Sequence, residues 1–481
     1  MYFKSINNFF FISFLFFQTI AFNGQAQNRD IIITIHLRGV YESNISLLSL
    51  SDSRTFKPFK EVYGIKNGTT TSIDVLMEKL PGEFVLRFNY NETNTSTSYP
   101  SEKYIFINNQ DLELWANPKY CNNADSTYFQ KGENENSTFM QFSKENDKQK
   151  EKLGLLQNFL INYDDTESTF YKKGSKEYER RRKAYNQWLS DRVQRDKAFF
   201  VSNLYPFHYV PQIPWKGTET ERLNSLINHY FDGMDFQNPL LIKTSDLNKW
   251  MDTYVNFYSQ LATTITLQDS LFPIAGRRAI EKAKQGHPLV YGWMVDYFYR
   301  GYESNGITAG MKVLEPYMND SNCLTSKRQE IARRLKGMET LISGSKTPDI
   351  ELMDIYGSLF KLYEFEPRVK YLLILFWSAG CSHCVEMVNQ LYLWQQQIEM
   401  QQKIQVVDIS LDETETEIKA YQQKIMKLKG WRHLHAKEGV RSKPARDYFV
   451  LATPVMVLLD AKTKVIVAIP NTLNELMTTI H

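Results

Sequence analysis

Cysteine is scarce in this chain: four residues in 481, at Cys121, Cys323, Cys381 and Cys384. So few thiols exclude a small disulfide-stapled scaffold. Only one C-x-x-C pair exists, so a four-cysteine zinc site lacks its second half and no metal is expected. Neither G-x-G-x-x-G nor G-x-x-x-x-G-K-[ST] occurs, so the loops that cradle phosphates are missing and no cofactor is expected. Charge of one sign is also lacking. Lys and Arg number 57 against 54 Asp and Glu, a formal net charge of +3 that offers no basic surplus for nucleic acid. Long apolar runs are absent after the first residues, so no stable membrane span is expected.

What is present begins with "FFFISFLFFQTIAF", Phe9 to Phe22, behind a short start carrying Lys4 and ahead of "NGQAQ". A basic start, an apolar run shorter than the ~20 residues a bilayer needs, and small residues at Gly24 and Ala26 describe a secretory signal peptide. Residues 1–26 are therefore expected to be removed, and no cysteine follows them closely enough for a lipid anchor. The remaining chain is expected to be periplasmic or otherwise exported, and soluble. In an oxidising compartment a C-x-x-C pair is a disulfide unless something keeps it reduced.

The rest divides into three. Residues 27–135 read as a β-rich, sandwich-like domain. In "IIITIHLRGV", Ile33, Ile35 and Leu37 alternate with Thr34, His36 and Arg38; in "GEFVLRFNY", Phe84, Leu86, Phe88 and Tyr90 share a face. "EKYIFINNQDLELW" reads as two strands with a turn at Asn108 and Asn109. Residues 136–344 are apolar every three or four positions and predict an α-helical domain. Within it, the aromatic stripe Trp293, Tyr297 and Tyr299 is expected to be helix-packing core, and "YERRRKAYN" a solvated face.

Residues 345–481 alternate strands and helices, which predicts an α/β domain with a parallel or mixed sheet. "YLLILFW" is a strand buried on both sides. The helix after it places Cys384, Val388, Leu391 and Ile398 on one face. Asp412 and Glu415 are expected to form a capping box, and Gly430 to end the helix that follows. "PVMVLLD" and "KVIVAI" read as a hairpin around Ala461–Thr463.

A strand, then "CSHC", then a helix puts Cys381 at a helix N-terminus, where free N–H groups and the dipole stabilise a thiolate. Cys384 falls one turn on, on the buried side, and His383 lies beside the pair. An inert disulfide and a Cu(I) site using these thiols, His383 or the His433-x-His435 pair are the other readings. Soft thiolates suit Cu(I), but H-x-H on a strand is expected to lie on a solvated face.

"FWSAGCSHC" and "VLATPVMVLLD", in β-α-β order, resemble the thioredoxin-like domain of the TlpA/ResA class of exported bacterial thiol–disulfide oxidoreductases. The layout upstream resembles multidomain members of that class from Bacteroidetes, with a β-rich and then a helical domain. The resemblance implies that Cys381 is the nucleophile and Cys384 the resolving thiol. It also implies that Pro454, after Thr453, is a cis-proline facing them, with Trp377 flanking the site. The expected partners are protein thiol or disulfide clients and a redox partner that resets the pair. Thioredoxin has a buried acid where this chain has Leu375. The potential is expected between about −270 mV, as in thioredoxin, and about −120 mV, as in the strong oxidant DsbA. A thioredoxin-fold binding or scaffold protein with little turnover is the alternative function.

Overall fold

The computed structural model describes residues 29–50, 58–94 and 97–480, so the expected signal peptide lies outside the described residues. The chain forms two compact units. One comprises residues up to Leu155 with Gln187–Tyr205 and Lys243–Ser245; the other comprises Leu156–Asn186, Pro206–Ile242 and Asp246–His481. Among the described residues, no helix is long and apolar enough to cross a membrane.

The first unit is built on eight strands: β1 (Ile31–Leu37), β2 (Glu42–Ser49), β3 (Lys60–Lys66), β4 (Thr70–Val75), β5 (Gly82–Asn91), β6 (Tyr99–Ile107), β7 (Leu112–Ala116) and β8 (Tyr128–Phe129). They form two four-stranded sheets, ordered β4-β1-β7-β8 and β3-β2-β5-β6. The alternation read from the sequence faces inward: Ile33 and Ile35 of one sheet and Phe84, Leu86 and Phe88 of the other fill a single core. This is the expected sandwich. The turn at Asn108 and Asn109 carries the chain from one sheet to the other.

Helices α1 (Glu135–Asn162), α2 (Thr169–Arg195), α3 (Glu219–His229), α4 (Asp246–Leu261), α5 (Ile265–Lys284), α6 (Pro288–Ser304), α7 (Thr308–Met318) and α8 (Arg328–Thr340) make the helical middle. Tyr297 and Tyr299 are buried; their hydroxyls donate to Asp252 at 2.6 Å and Glu330 at 3.0 Å, and Trp293 stacks on Tyr297. The stripe is packing, as expected. "YERRRKAYN" is not uniformly solvated. Arg180 is exposed and Arg181 half-buried, but Arg182 is buried, chelated by Glu179 and donating to the Val210 carbonyl at 2.9 Å. A buried guanidinium survives because each face of it finds an acceptor.

The C-terminal part of the second unit begins with a small hairpin, β9 (Glu351–Met353) and β10 (Leu359–Lys361). It continues through β11 (Tyr371–Trp377), α9 (Ser382–Gln395), α10 (Ile398–Lys403), β12 (Ile404–Ser410), α11 (Glu415–Ile425), β13 (Arg432–His435), α12 (Lys443–Asp447), β14 (Val455–Asp460), β15 (Ile466–Ala468) and α13 (Leu473–Thr479). The sheet order is β13-β12-β11-β14-β15, with β11, β12 and β13 parallel and β14 and β15 antiparallel. Every residue of β11 is buried, as a strand covered on both sides requires. Residues 344–347, which leave the helical middle, run along β15: Gly344 N–H donates to Ile466 at 2.8 Å, Ile466 N–H to Ser345 at 2.9 Å and Thr347 N–H to Lys464 at 3.1 Å.

Three expectations are corrected here. Ile398 does not share the face of Cys384, Val388 and Leu391. Helix α9 stops at Gln395, Gln397 is extended so that the chain can turn toward β12, and Ile398 is 80% exposed. The capping box is Thr414 with Glu417, which exchange reciprocal hydrogen bonds, because Asp412 is engaged elsewhere. Gly430 does not end α11, which closes at Ile425; its positive φ of 87° turns the chain into β13.

Candidate functional site

Central strand β11 ends at Trp377, and the next three residues turn toward α9. Buried Asp412 holds that turn. Its carboxylate accepts from the Ser378 hydroxyl at 2.5 Å, the Ser410 hydroxyl at 2.7 Å, the Ala379 N–H at 3.0 Å and the Gly380 N–H at 3.4 Å. A carboxylate so fully satisfied fixes the chain that precedes the thiols.

Cys381 is the N-cap of α9. Its sulfur accepts the Cys384 N–H at 3.2 Å, as a capping oxygen does elsewhere. Cys381 is half-buried, and Cys384 is wholly buried behind it with the two sulfurs 2.6 Å apart. Both are free thiols. Burial and the neighbouring Cys381 sulfur push the Cys384 thiol up to about 11, against the opposing hydrogen bond with Thr453. The Thr453 hydroxyl lies 3.3 Å from the Cys384 sulfur, and the Thr453–Pro454 peptide is cis. His383 is exposed on the first turn of α9. The structure thus brings Cys381, Cys384 and Thr453 together, with Pro454 next in the chain. Trp377 lies under the site, fully buried in the same core as Cys384.

Beneath Trp377 is a polar row that sequence reading missed. Leu375 pairs with Asp408 on β12, which pairs with His433 on β13. Paired residues point to one face, and this face is the one that α9 covers. Asp408 has no exposed surface. One of its oxygens accepts the Trp377 indole N–H at 2.8 Å and the other lies 2.5 Å from His433 Nδ1. His433 Nε2 lies 3.1 Å from the Leu428 carbonyl, which can only accept, so Nε2 carries its proton. A buried acid is therefore present, one strand away from Leu375. Its signal was Asp408 itself, a charge inside the apolar strand "IQVVDIS", which has to find a partner.

The same geometry corrects the reading of His433-x-His435. The face they share is covered, not solvated: His433 is buried on Asp408, and His435 Nε2 lies 2.8 Å from the Asp412 carbonyl beside the ring of Tyr421. Cys121 and Cys323 are buried free thiols: Cys121 donates to the Glu102 carbonyl at 3.2 Å, and Cys323 sits in the core of the helical middle. Among the described residues, no group of three or more His, Cys, Asp or Glu is arranged to hold a metal ion.

No curated protein matches the chain. Among solved structures, a thioredoxin-like protein from Bacteroides caccae is 20% identical, covering 56% of this chain and 96% of its own, with a TM-score of 0.38. The thioredoxin domain of a thiol-disulfide oxidoreductase from Bacteroides vulgatus is 23% identical, covering 29% of this chain and 99% of its own, with a TM-score of 0.25. A domain of a possible thiol-disulfide isomerase from Cytophaga hutchinsonii is 29% identical, covering 29% and 90%, with a TM-score of 0.25. Residues 369–465 match the family described as thioredoxin-like. That match spans β11, the two thiols and the Thr453–Pro454 bond, so this multidomain chain ends in a thioredoxin-like domain.

Proposed function

We propose that the protein is an exported thiol–disulfide oxidoreductase acting on extracytoplasmic protein clients. One observation carries the reading: a half-exposed thiol caps a helix, and a second, fully buried thiol waits 2.6 Å behind it. The Cys384 N–H and the α9 dipole stabilise negative charge on Cys381. The Cys381 thiolate attacks a client disulfide; the client S–S bond breaks, a mixed disulfide forms, and the departing client thiolate takes a proton. Cys384 then gives up its proton and attacks Cys381, which expels the second client thiol. The client gains two electrons, the 381–384 pair loses two, and a dithiol partner returns them. Thr453 and Pro454 border the path to Cys384, and His383 adds a cationic neighbour when protonated.

The supporting arrangement spans residues 345–481, with 27–135 and 136–344 as separate domains behind a signal peptide of 1–26. Thiol titration of the full chain and an insulin-reduction assay test the reading. Turnover that disappears in Cys381→Ser supports it. Two accessible thiols without turnover would favour a thioredoxin-fold binding protein instead.

A further inference from the structure

Among the described residues, Phe449 and Lys464 are the two non-glycine residues with positive φ. Lys464 lies in the β14–β15 turn, where its ammonium reaches the Phe365 and Ala461 carbonyls. Phe449, at φ 51°, is an aromatic residue in the left-handed region, an uncommon conformation for a side chain of that bulk. Its neighbours are tied down. Tyr448 is buried, accepts the Thr347 hydroxyl at 2.7 Å and donates to the Pro348 carbonyl at 2.8 Å; Val450 N–H donates to Ala445 at 2.8 Å. Phe449 itself is pressed against α8 at Gly337. A Cβ built on Gly337 would lie 2.7 Å from Phe449 Cβ and 2.8 Å from its Cγ, so glycine is what admits the contact. The end of α8 is committed to the same place, since Leu341 packs on the sheet core that contains Tyr448 and Val450. Four residues past Phe449, the Thr453 hydroxyl meets Cys384.

We propose that Gly337 and Phe449 are positioning residues for the redox site. The notch in α8 seats Phe449, fixes the left-handed bend of the chain, and so sets where Thr453 stands over the buried thiol. The last helix of the helical middle is thereby coupled to the chemistry of the C-terminal domain. The inference rests on the redox reading for its consequence in exchange, but the contact with Cys384 can be read without turnover.

The test uses the full chain and three variants: Gly337→Ala, which places a methyl against Phe449; Phe449→Gly, which empties the notch and accepts the bend; and the two combined. Three quantities are read well below the thermal midpoint of each variant: the pH profile of Cys384 alkylation in a Cys381→Ser background, the potential of the intact pair, and the insulin-reduction rate. Both single variants should move the Cys384 profile upward, because the Thr453 hydroxyl no longer assists the thiolate. Gly337→Ala should slow exchange on the order of tenfold, less than the roughly 10²-fold that a 1 Å misplacement can cost. The combined variant should match Phe449→Gly alone, since the methyl then has nothing to strike. The proposal is overturned if the single variants lower the thermal midpoint and leave profile, potential and rate unchanged, or if their effects simply add. If Gly337→Ala does not fold, an unmoved profile in Phe449→Gly overturns it alone. A wild-type chain without turnover would remove the redox reading, and the Cys384 profile would still decide the coupling.

Discussion

The two faces of the five-stranded sheet are made from the same strands and do different work. On one face Leu372, Ile374, Phe376, Val407, Ile409 and Val457 interlock with no polar group among them. On the other, Leu373, Leu375, Trp377 and Val406 lie beside Asp408, Ser410 and His433, all buried. Period-two alternation sends odd residues of β11 and even residues of β12 toward α9, so Asp408 and Ser410, with His433 in register, fall on the side that carries the thiols. Cohesion can be assigned to the first face. The second gives up some apolar burial to hold Trp377 and the turn before Cys381 in fixed positions, and each of its polar groups has a partner.

Substitutions on each face test that division. The largest effect is expected from Cys381→Ser, which should abolish insulin reduction while leaving the thermal midpoint nearly unchanged; Cys384→Ser should instead accumulate mixed disulfides, seen as client adducts on non-reducing gels. On the apolar face, Ile374→Ala should cost about 2–5 kcal/mol in denaturant unfolding with exchange intact at low temperature. A loss of exchange there would break the comparison. Asp408→Ala should cost about 3–5 kcal/mol, because it strands a buried imidazole and an indole N–H. Unlike Ile374→Ala, it should also alter the environment of Trp377, read as a change in near-ultraviolet circular dichroism.

A smaller effect concerns pH. The folded chain holds the Cys384 thiol at about 11, against an ordinary value of 9.0. A raised value favours the folded, reduced state fully below about pH 9, and that advantage is lost as the pH climbs toward 11. Reduced wild type should lose stability across that window more steeply than Cys384→Ser, and Cys381 should alkylate ahead of Cys384 at mildly acidic pH. Equal labelling would contradict the assigned roles. The smallest effect is His383→Pro, which should lower the potential of the pair by tens of millivolts, about 30 mV being 1.4 kcal/mol. An unchanged potential in glutathione buffers would show that His383 does not tune the thiols.

Much of this was legible in the chain because it depends on local order. "YLLILFW" announces a strand covered on both sides, and the thiols one helical turn apart announce an exposed member and a buried one. Misreadings occurred where the outcome depends on which strand lies beside which. Nothing local to Leu375 shows that Asp408 stands next to it, or that His433 completes the row; that is a matter of register across three strands. "LDETETEI" offers two overlapping capping patterns, and tertiary demand for Asp412 at the Ser378 turn decides for Thr414 and Glu417. Arg182 reads as one more surface charge in "YERRRKAYN" until the Val210 carbonyl is brought against it from a distant segment.

The run of residues 344–347 along β15 has a consequence for how the C-terminal domain can be handled. Without it, the outer rim of β15 would present unpaired N–H and C=O groups, a template on which a second molecule can add a strand. A fragment starting at Pro348 loses all three of those bonds, and one starting at Ser345 loses the Gly344 bond to Ile466. The tail of the helical middle is thus a guard against self-association: fragments that begin before Gly344 should stay monomeric at concentrations where shorter ones aggregate.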